Sequence, residues 1–91
     1  MSSRRCIELL NLGISAKRSG DYQLALIYYN QAKEYDEFNL NIYYNTAKVL
    51  AGTGNYKNAL RNFLTAAHLG IKNVYHSRPS HDLKYRTFAL H

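Results

Sequence analysis

The stretch GDYQLALIYYNQA, at residues 20–32, decides the fold, because the related stretch GNYKNALRNFLTA follows 34 residues later, at residues 54–66. The positions that are identical in the two copies are Gly20/Gly54, Tyr22/Tyr56, Ala25/Ala59, Leu26/Leu60 and Ala32/Ala66. The same offset pairs Asn11 with Asn45 and Asn39 with Asn73. Self-similarity at one period of about 20 to 50 residues is typical of stacked supersecondary units. The sequence therefore predicts a repeat protein.

Length and composition describe one small domain. The chain has 91 residues, of which 46% are apolar and 20% charged, as is ordinary for a soluble globular protein. It lacks the run of about 18 apolar residues that a membrane span needs, and its one cysteine, Cys6, cannot form an intramolecular disulfide. We therefore predict a cytoplasmic protein. The formal charge of +6 favours an acidic partner, nucleic acid or an anionic surface.

Apolar residues recur at helical spacing on both sides of the repeated Gly-Asp and Gly-Asn pairs. We predict helices over residues 6–19, 22–35, 40–51 and about 56–69. Each glycine, Gly20 or Gly54, is expected to end one helix in a left-handed conformation, and the next residue to cap the following helix. Helices joined by so short a turn must lie antiparallel. Asn39 is the predicted cap of the third helix, and Gly70 the predicted end of the fourth.

The C-terminal segment breaks the period after Asn73. An exact third repeat would put Pro79 inside a helix, where proline removes a backbone donor and clashes with the preceding turn. A helix that begins at Pro79 and ends near Leu90 avoids this conflict, because proline is tolerated at the first helical position. Residues 83–88 also alternate by twos, so a strand remains open. We favour the helix, which would cap the preceding units.

Each copy of the repeat has the same pattern of asparagine, small and aromatic residues. The first copy contains Asn11, Gly13, Gly20-Asp21-Tyr22, Ala25, Tyr29 and Ala32, and the second contains Asn45, Ala47, Gly54-Asn55-Tyr56, Ala59, Phe63 and Ala66. This pattern resembles the tetratricopeptide repeat (TPR), a helix-turn-helix unit of 34 residues. The chain departs from that family at its tryptophan position, which holds Leu9 and Tyr43, and at its proline position, which holds Glu37 and Ile71.

The resemblance implies a single all-α domain over residues 1–91. Two TPR units, at about residues 6–39 and 40–73, would stack as antiparallel helix-turn-helix repeats in a short right-handed superhelix. Residues 74–91 would form the C-terminal capping helix. The small residues of the pattern would let the two helices of each unit approach closely.

The resemblance also implies a protein-protein interaction module. In TPR proteins the first helix of each unit lines a concave groove that binds a peptide or a partner's helix. Mapped onto this chain, the partner-binding residues are Leu10, Asn11, Ile14, Lys17, Arg18, Asn41, Tyr44, Asn45 and Lys48, with Ile7 and Ala51 beside them.

The predicted groove residues suggest three kinds of contact. The amides of Asn11 and Asn45 can bond the backbone of an extended chain, although they also suit a solvated helix surface. The cations Lys17, Arg18 and Lys48 would favour an acidic partner. The apolar members Leu10, Ile14 and Tyr44 would suit a partner's amphipathic helix or a second copy of the chain.

Two other functions follow less directly from the sequence, and catalysis is not predicted. A self-associating homo-oligomer is the alternative, because about three repeats are usually needed to bury a continuous core. Nucleic-acid binding would use the basic surface, but Tyr22, Tyr29, Tyr43 and Tyr56 are predicted in the core rather than available for stacking. We do not predict an enzyme, a metal or another cofactor, because the four histidines lack ligand spacing and have no catalytic partners.

Overall fold

A computed structural model describes residues 3–77 of the chain, with side chains as far as Lys72. Its elements are α1 (Arg4–Arg18), α2 (Tyr22–Tyr35), α3 (Leu40–Gly52) and α4 (Tyr56–Ser77). The predicted all-α class is confirmed over this range, and the predicted bounds of the first three helices agree with the structure to within about two residues. The choice between helix and strand for residues 79–90 lies outside the described residues.

The two hairpins turn in the same way. Gly20 and Gly54 have φ angles of 85° and 88°, in the left-handed region that favours glycine. The amide that follows each glycine, in Asp21 or Asn55, donates to the carbonyl five residues earlier at 2.9 Å. Asp21 also caps α2, because its Oδ1 accepts a hydrogen bond from the Leu24 amide at 3.1 Å. These features confirm the predicted left-handed glycines and the predicted cap by Asp21.

Each helix packs mainly against its neighbour along the chain. The pairs α1 with α2 and α3 with α4 form two hairpins, which meet through α2 and α3 and, to a smaller extent, through α1 and α3. Small residues allow the close approach within the hairpins, since Ala25, Ala32 and Ala47 are completely buried. At Gly13 an added Cβ would lie only 2.7 Å from Cδ1 of the Tyr29 ring and closer still to Cε1. Glycine is therefore required where α1 crosses this ring.

The main hydrophobic core lies between α1, α2 and α3. It consists of Cys6, Leu9, Leu10, Ala16, Ala25, Tyr29, Ala32, Ile42 and Val49. Within residues 56–72, the buried apolar side chains of α4 are Ala59, Ala66 and Leu69, which lie outside this cluster. Among residues 3–72, the first hairpin is therefore covered on more sides than the second.

The predicted end of the fourth helix was wrong. Helix α4 continues through Gly70 to Ser77. Gly70 does not have the positive φ of Gly20 and Gly54, so it lacks the left-handed conformation that ends a helix. An added Cβ there would lie 3.8 Å from Cδ2 of Leu40, so this glycine is a small residue inside a packed helix.

Three predictions of burial were also wrong. Tyr22 and Tyr56, predicted in the core, are 38% and 71% exposed, because each begins a helix directly after the turn of its hairpin, at the edge of the packed region. Leu10, predicted on an exposed apolar patch, is only 7% exposed and belongs to the core. Tyr29, by contrast, is completely buried as predicted.

Candidate functional site

A groove with a volume of about 360 Å³ lies between α1 and the beginning of α3. We call it the asparagine groove; its lining residues are Ile7, Leu10, Asn11, Ile14, Asn39, Asn41 and Asn45. Five of the nine residues predicted from the sequence meet here, namely Leu10, Asn11, Ile14, Asn41 and Asn45. The lining contains no ionisable side chain, so its chemistry is that of amides beside hydrocarbon.

The apolar side of the groove comes from one face of α1. Ile7, Leu10 and Ile14 follow one another at three- and four-residue steps, which places them on the same side of a helix. Leu10 is buried, Ile14 is partly buried and Ile7 is 49% exposed. Leu10 therefore anchors this surface in the core, while the two isoleucines leave apolar area for a ligand.

The amide side of the groove is held in place by α3 and its cap. The Asn39 side chain accepts a hydrogen bond from the Asn41 amide at 2.9 Å and donates one to Sγ of Cys6 at 3.8 Å. The Asn45 side chain donates to the Asn41 carbonyl, one turn earlier, at 2.7 Å. An asparagine amide has two N–H donors and an oxygen acceptor. Asn45 therefore keeps one N–H and its Oδ1 for a ligand, and Asn11 and Asn41 are exposed on the same groove.

Cys6 is a buried residue that contacts Asn39 of the groove lining. Its side chain is completely buried. Burial raises the pKa of its thiol, the nearby carboxylate of Asp36 raises it further, and the hydrogen bond from Asn39 lowers it. A buried thiol with a raised pKa is a poor nucleophile. We therefore interpret Cys6 as a packing residue that also holds Asn39.

The remaining predicted residues lie outside the lining of the asparagine groove. The Tyr44 ring lies 5.9 Å from the Phe63 ring, at a tilt of 60°, and Nζ of Lys48 lies 4.8 Å from the centre of the Tyr44 ring. Lys17 is partly buried and Arg18 is exposed, both in the last turn of α1. Tyr44 and Lys48 thus form an aromatic-cation contact on α3, separate from the amides.

Sequence reasoning missed two features of the surface. Asn39 was predicted as a helix cap, and the structure confirms the cap but also places this residue in the groove. The second feature is a row of exposed apolar side chains on α4, which includes Leu60 and Leu64. The four-residue spacing of these leucines was a signal in the sequence, but it does not say which face of the helix is covered.

Comparison with known proteins adds no function. No family model, curated protein or solved structure matches the chain. Among the described helices, none combines the length and apolar character needed to cross a membrane. Over the same residues, no three side chains of His, Cys, Asp or Glu gather as metal ligands. The asparagine groove is therefore the feature of the described residues that bears most directly on function.

Proposed function

We propose that this chain is a TPR-like interaction module that binds an extended segment of a partner protein in the asparagine groove and catalyses no reaction. In this proposal the two hairpins are stacked TPR units of a short right-handed superhelix; α4 extends to Ser77, into the segment 74–91 that was predicted as a separate cap. The observation that carries the proposal is the groove itself, in which exposed amides on α3 and α1 stand beside an apolar surface on α1.

The two hairpins support the repeat part of the proposal. Helices α2 and α4 begin at Tyr22 and Tyr56, which are equivalent positions of the 34-residue period. Both preceding turns have the same backbone conformation and the same hydrogen bonds. A unit whose local structure is repeated in this way stacks on its neighbour through equivalent faces.

The chemistry of the groove favours an extended peptide as the ligand. An asparagine side chain can accept from a backbone N–H and donate to a backbone C=O at once, so it recognises the main chain whatever its sequence. Ile7 and Ile14 can then contact one or two apolar side chains of the same segment. Specificity would come from those side chains and from Lys17, Arg18 and Lys48, which favour acidic residues flanking the bound segment.

Asparagine substitutions test this proposal. An array of extended peptides should be screened for binding, and the best binder measured by fluorescence anisotropy. We expect Asn45→Ala or Asn11→Ala to weaken its binding roughly 5- to 10-fold, since a net hydrogen bond contributes about 1 kcal/mol.

Asn62→Ala is the matched control. Like Asn45, the Asn62 side chain donates to the carbonyl four residues earlier, that of Asn58 at 2.8 Å, but it lies on α4 outside the groove lining. This variant should bind the peptide as the unchanged protein does. If Asn62→Ala weakens binding as much as Asn45→Ala, or if neither groove variant weakens it, the asparagine groove is not the binding site.

A further inference from the structure

Helix α4 exposes an apolar row along its length. Leu60, Leu64 and Ile71 are 58%, 60% and 57% exposed, and Tyr56 and Ala67 are also exposed. These five residues, the apolar row, are spaced by four, four, three and four positions, so they share one face of the helix. A continuous apolar face of this kind marks an interaction surface more often than scattered exposed residues do.

A line of basic side chains borders the apolar row on one side. Lys57, Arg61, His68 and Lys72 each follow a member of the row by one position, and all four are exposed. We call them the basic edge. Because one residue advances a helix by about 100°, these side chains lie together beside the row. Residues 56–77 contain no Asp or Glu, so α4 supplies no anion to neutralise this edge.

The first hairpin has no equivalent of this face. The counterparts of the apolar row in the first repeat are Tyr22, Leu26, Asn30, Lys33 and Glu37, of which Leu26 is partly buried and the others are exposed, although α3 packs against α2. The row on α4 is therefore apolar where the first repeat carries mainly polar side chains. Because the apolar side chains form a line along one helix, an amphipathic helix with the same three- and four-residue spacing fits them.

Charge decides which helix fits. A second copy that docks through its own α4 would bring another basic helix towards the first, and residues 78–91 add Arg78, Lys84 and Arg86 against a single Asp82. Both would place cations near cations, which disfavours contact. We propose that the apolar row and the basic edge of α4 bind an acidic amphipathic helix from another protein. This site is separate from the asparagine groove and does not depend on the function proposed for that groove.

The proposed ligand has a definite pattern. The apolar row spans 16 residues, or about 22 Å, which corresponds to about four turns of a partner helix. That helix needs large apolar residues at three- and four-residue steps and Asp or Glu along one border, where they can pair with Lys57, Arg61 and Lys72.

A pair of designed peptides tests the proposal on the full chain. The acidic probe is a 16-residue helix with leucines at three- and four-residue steps and glutamates beside them; the control probe has lysines in place of the glutamates. We expect the acidic probe to bind at least about tenfold more tightly than the control, with an affinity that falls with salt. The variant Arg61→Glu combined with Lys57→Glu should reverse this preference, and Asn45→Ala should leave it unchanged.

Cysteine labelling identifies the occupant of the face. Leu64→Cys should react with a maleimide at a rate similar to that of Leu12→Cys, an exposed control position on α1, and the acidic probe should protect the first and not the second. The native Cys6 is buried and should not contribute.

Three other labelling results would overturn the proposal, and each would assign the face to a different occupant. Protection of Leu64→Cys in the dilute monomer would assign the face to residues 78–91. Protection that grows with protein concentration would assign it to a second copy. Protection by phosphatidylglycerol vesicles, with none by the acidic probe, would assign it to a lipid surface. Equal binding of the acidic and basic probes would exclude the charge recognition on which the proposal rests.

Discussion

Tyr29 shows how a single residue both fills the core and weakens it. Its side chain is completely buried, and its hydroxyl has no hydrogen-bond partner within the described residues. A buried hydroxyl without a partner costs about 1 to 3 kcal/mol of desolvation. We therefore expect Tyr29→Phe to leave the free energy of unfolding unchanged or to raise it by about 1 kcal/mol, as measured by urea denaturation.

Tyr43→Phe is the control for this prediction. The Tyr43 hydroxyl donates to the carbonyl of Glu37 at 2.7 Å, so its removal should lower the free energy of unfolding by about 1 kcal/mol. A larger loss for Tyr29→Phe than for Tyr43→Phe would contradict the structural account of Tyr29.

The same tyrosine predicts a response to alkaline pH. Burial raises the pKa of the Tyr29 phenol above its ordinary value of about 10. As the pH rises past about 10, the unfolded chain loses this proton before the folded chain does, so the unfolded state is favoured. The stabilising contribution is thus complete below about pH 10 and is lost as the pH rises through the folded pKa. Urea denaturation from pH 8 to 11 should show a smaller alkaline loss for Tyr29→Phe; parallel curves would refute the prediction.

At the scale of the element, the sequence predicts helix ends well where local chemistry fixes them. Gly20 and Gly54 end their helices through their own backbone conformation, and Asp21 caps α2 with its own side chain, so each signal is complete within a few residues. Gly70 offered the same signal and was misread, because whether a glycine adopts a positive φ or lies inside a packed helix depends on tertiary contacts. For Gly70 the relevant contact is with Leu40, 30 positions away in the sequence.

Gly52 and Gly54, at the second turn, allow the effect of backbone conformation to be measured apart from the effect of steric contact. At Gly52 and Gly54 an added Cβ would meet nothing within 4 Å, but Gly54 has a φ of 88° and Gly52 does not have a positive φ. We expect Gly54→Ala to lower the free energy of unfolding by about 1 to 2 kcal/mol, since the left-handed region is costly for alanine. Gly52→Ala should be neutral or stabilising by up to about 1 kcal/mol. Equal effects in thermal denaturation would show that φ does not determine the turn.

At the scale of the whole molecule, the site was harder to predict than the fold. The sequence places Asn11 on α1 and Asn45 on α3, but only the packing of the two hairpins brings both helices to one groove. The same packing buries Leu10 and leaves Lys48 against the Tyr44 ring, two results that the resemblance to TPR proteins did not provide. The exposed row on α4 likewise depends on how the helices pack, since it lies on a face that no other helix of residues 3–77 covers.

Helices α2 and α4 differ in how much of their surface is buried, so we expect them to differ in local stability. Helix α2 packs between α1 and α3, whereas α4 packs against α3 and leaves Leu60, Leu64 and Ile71 largely exposed. In a repeat stack each unit is stabilised by its immediate neighbours, and regions with fewer buried contacts open more readily. We expect amide hydrogen exchange in α4 to be at least about tenfold faster than in α2, equivalent to an opening free energy about 1.4 kcal/mol lower.

The difference in hydrogen exchange between α2 and α4 can be used to test binding of the acidic probe to the apolar row. Binding of this probe should slow exchange in α4 and leave α1 unchanged, because the bound helix would cover the apolar row. Ile42→Val is the control for this experiment. Ile42 is completely buried in the main core, so the substitution should lower the free energy of unfolding by about 1 kcal/mol and accelerate exchange in α2 as well as in α3. Equal protection of α2 and α4 in the dilute chain without the probe would mean that α4 is already covered, and the unpartnered face on which the second site depends would not exist in solution.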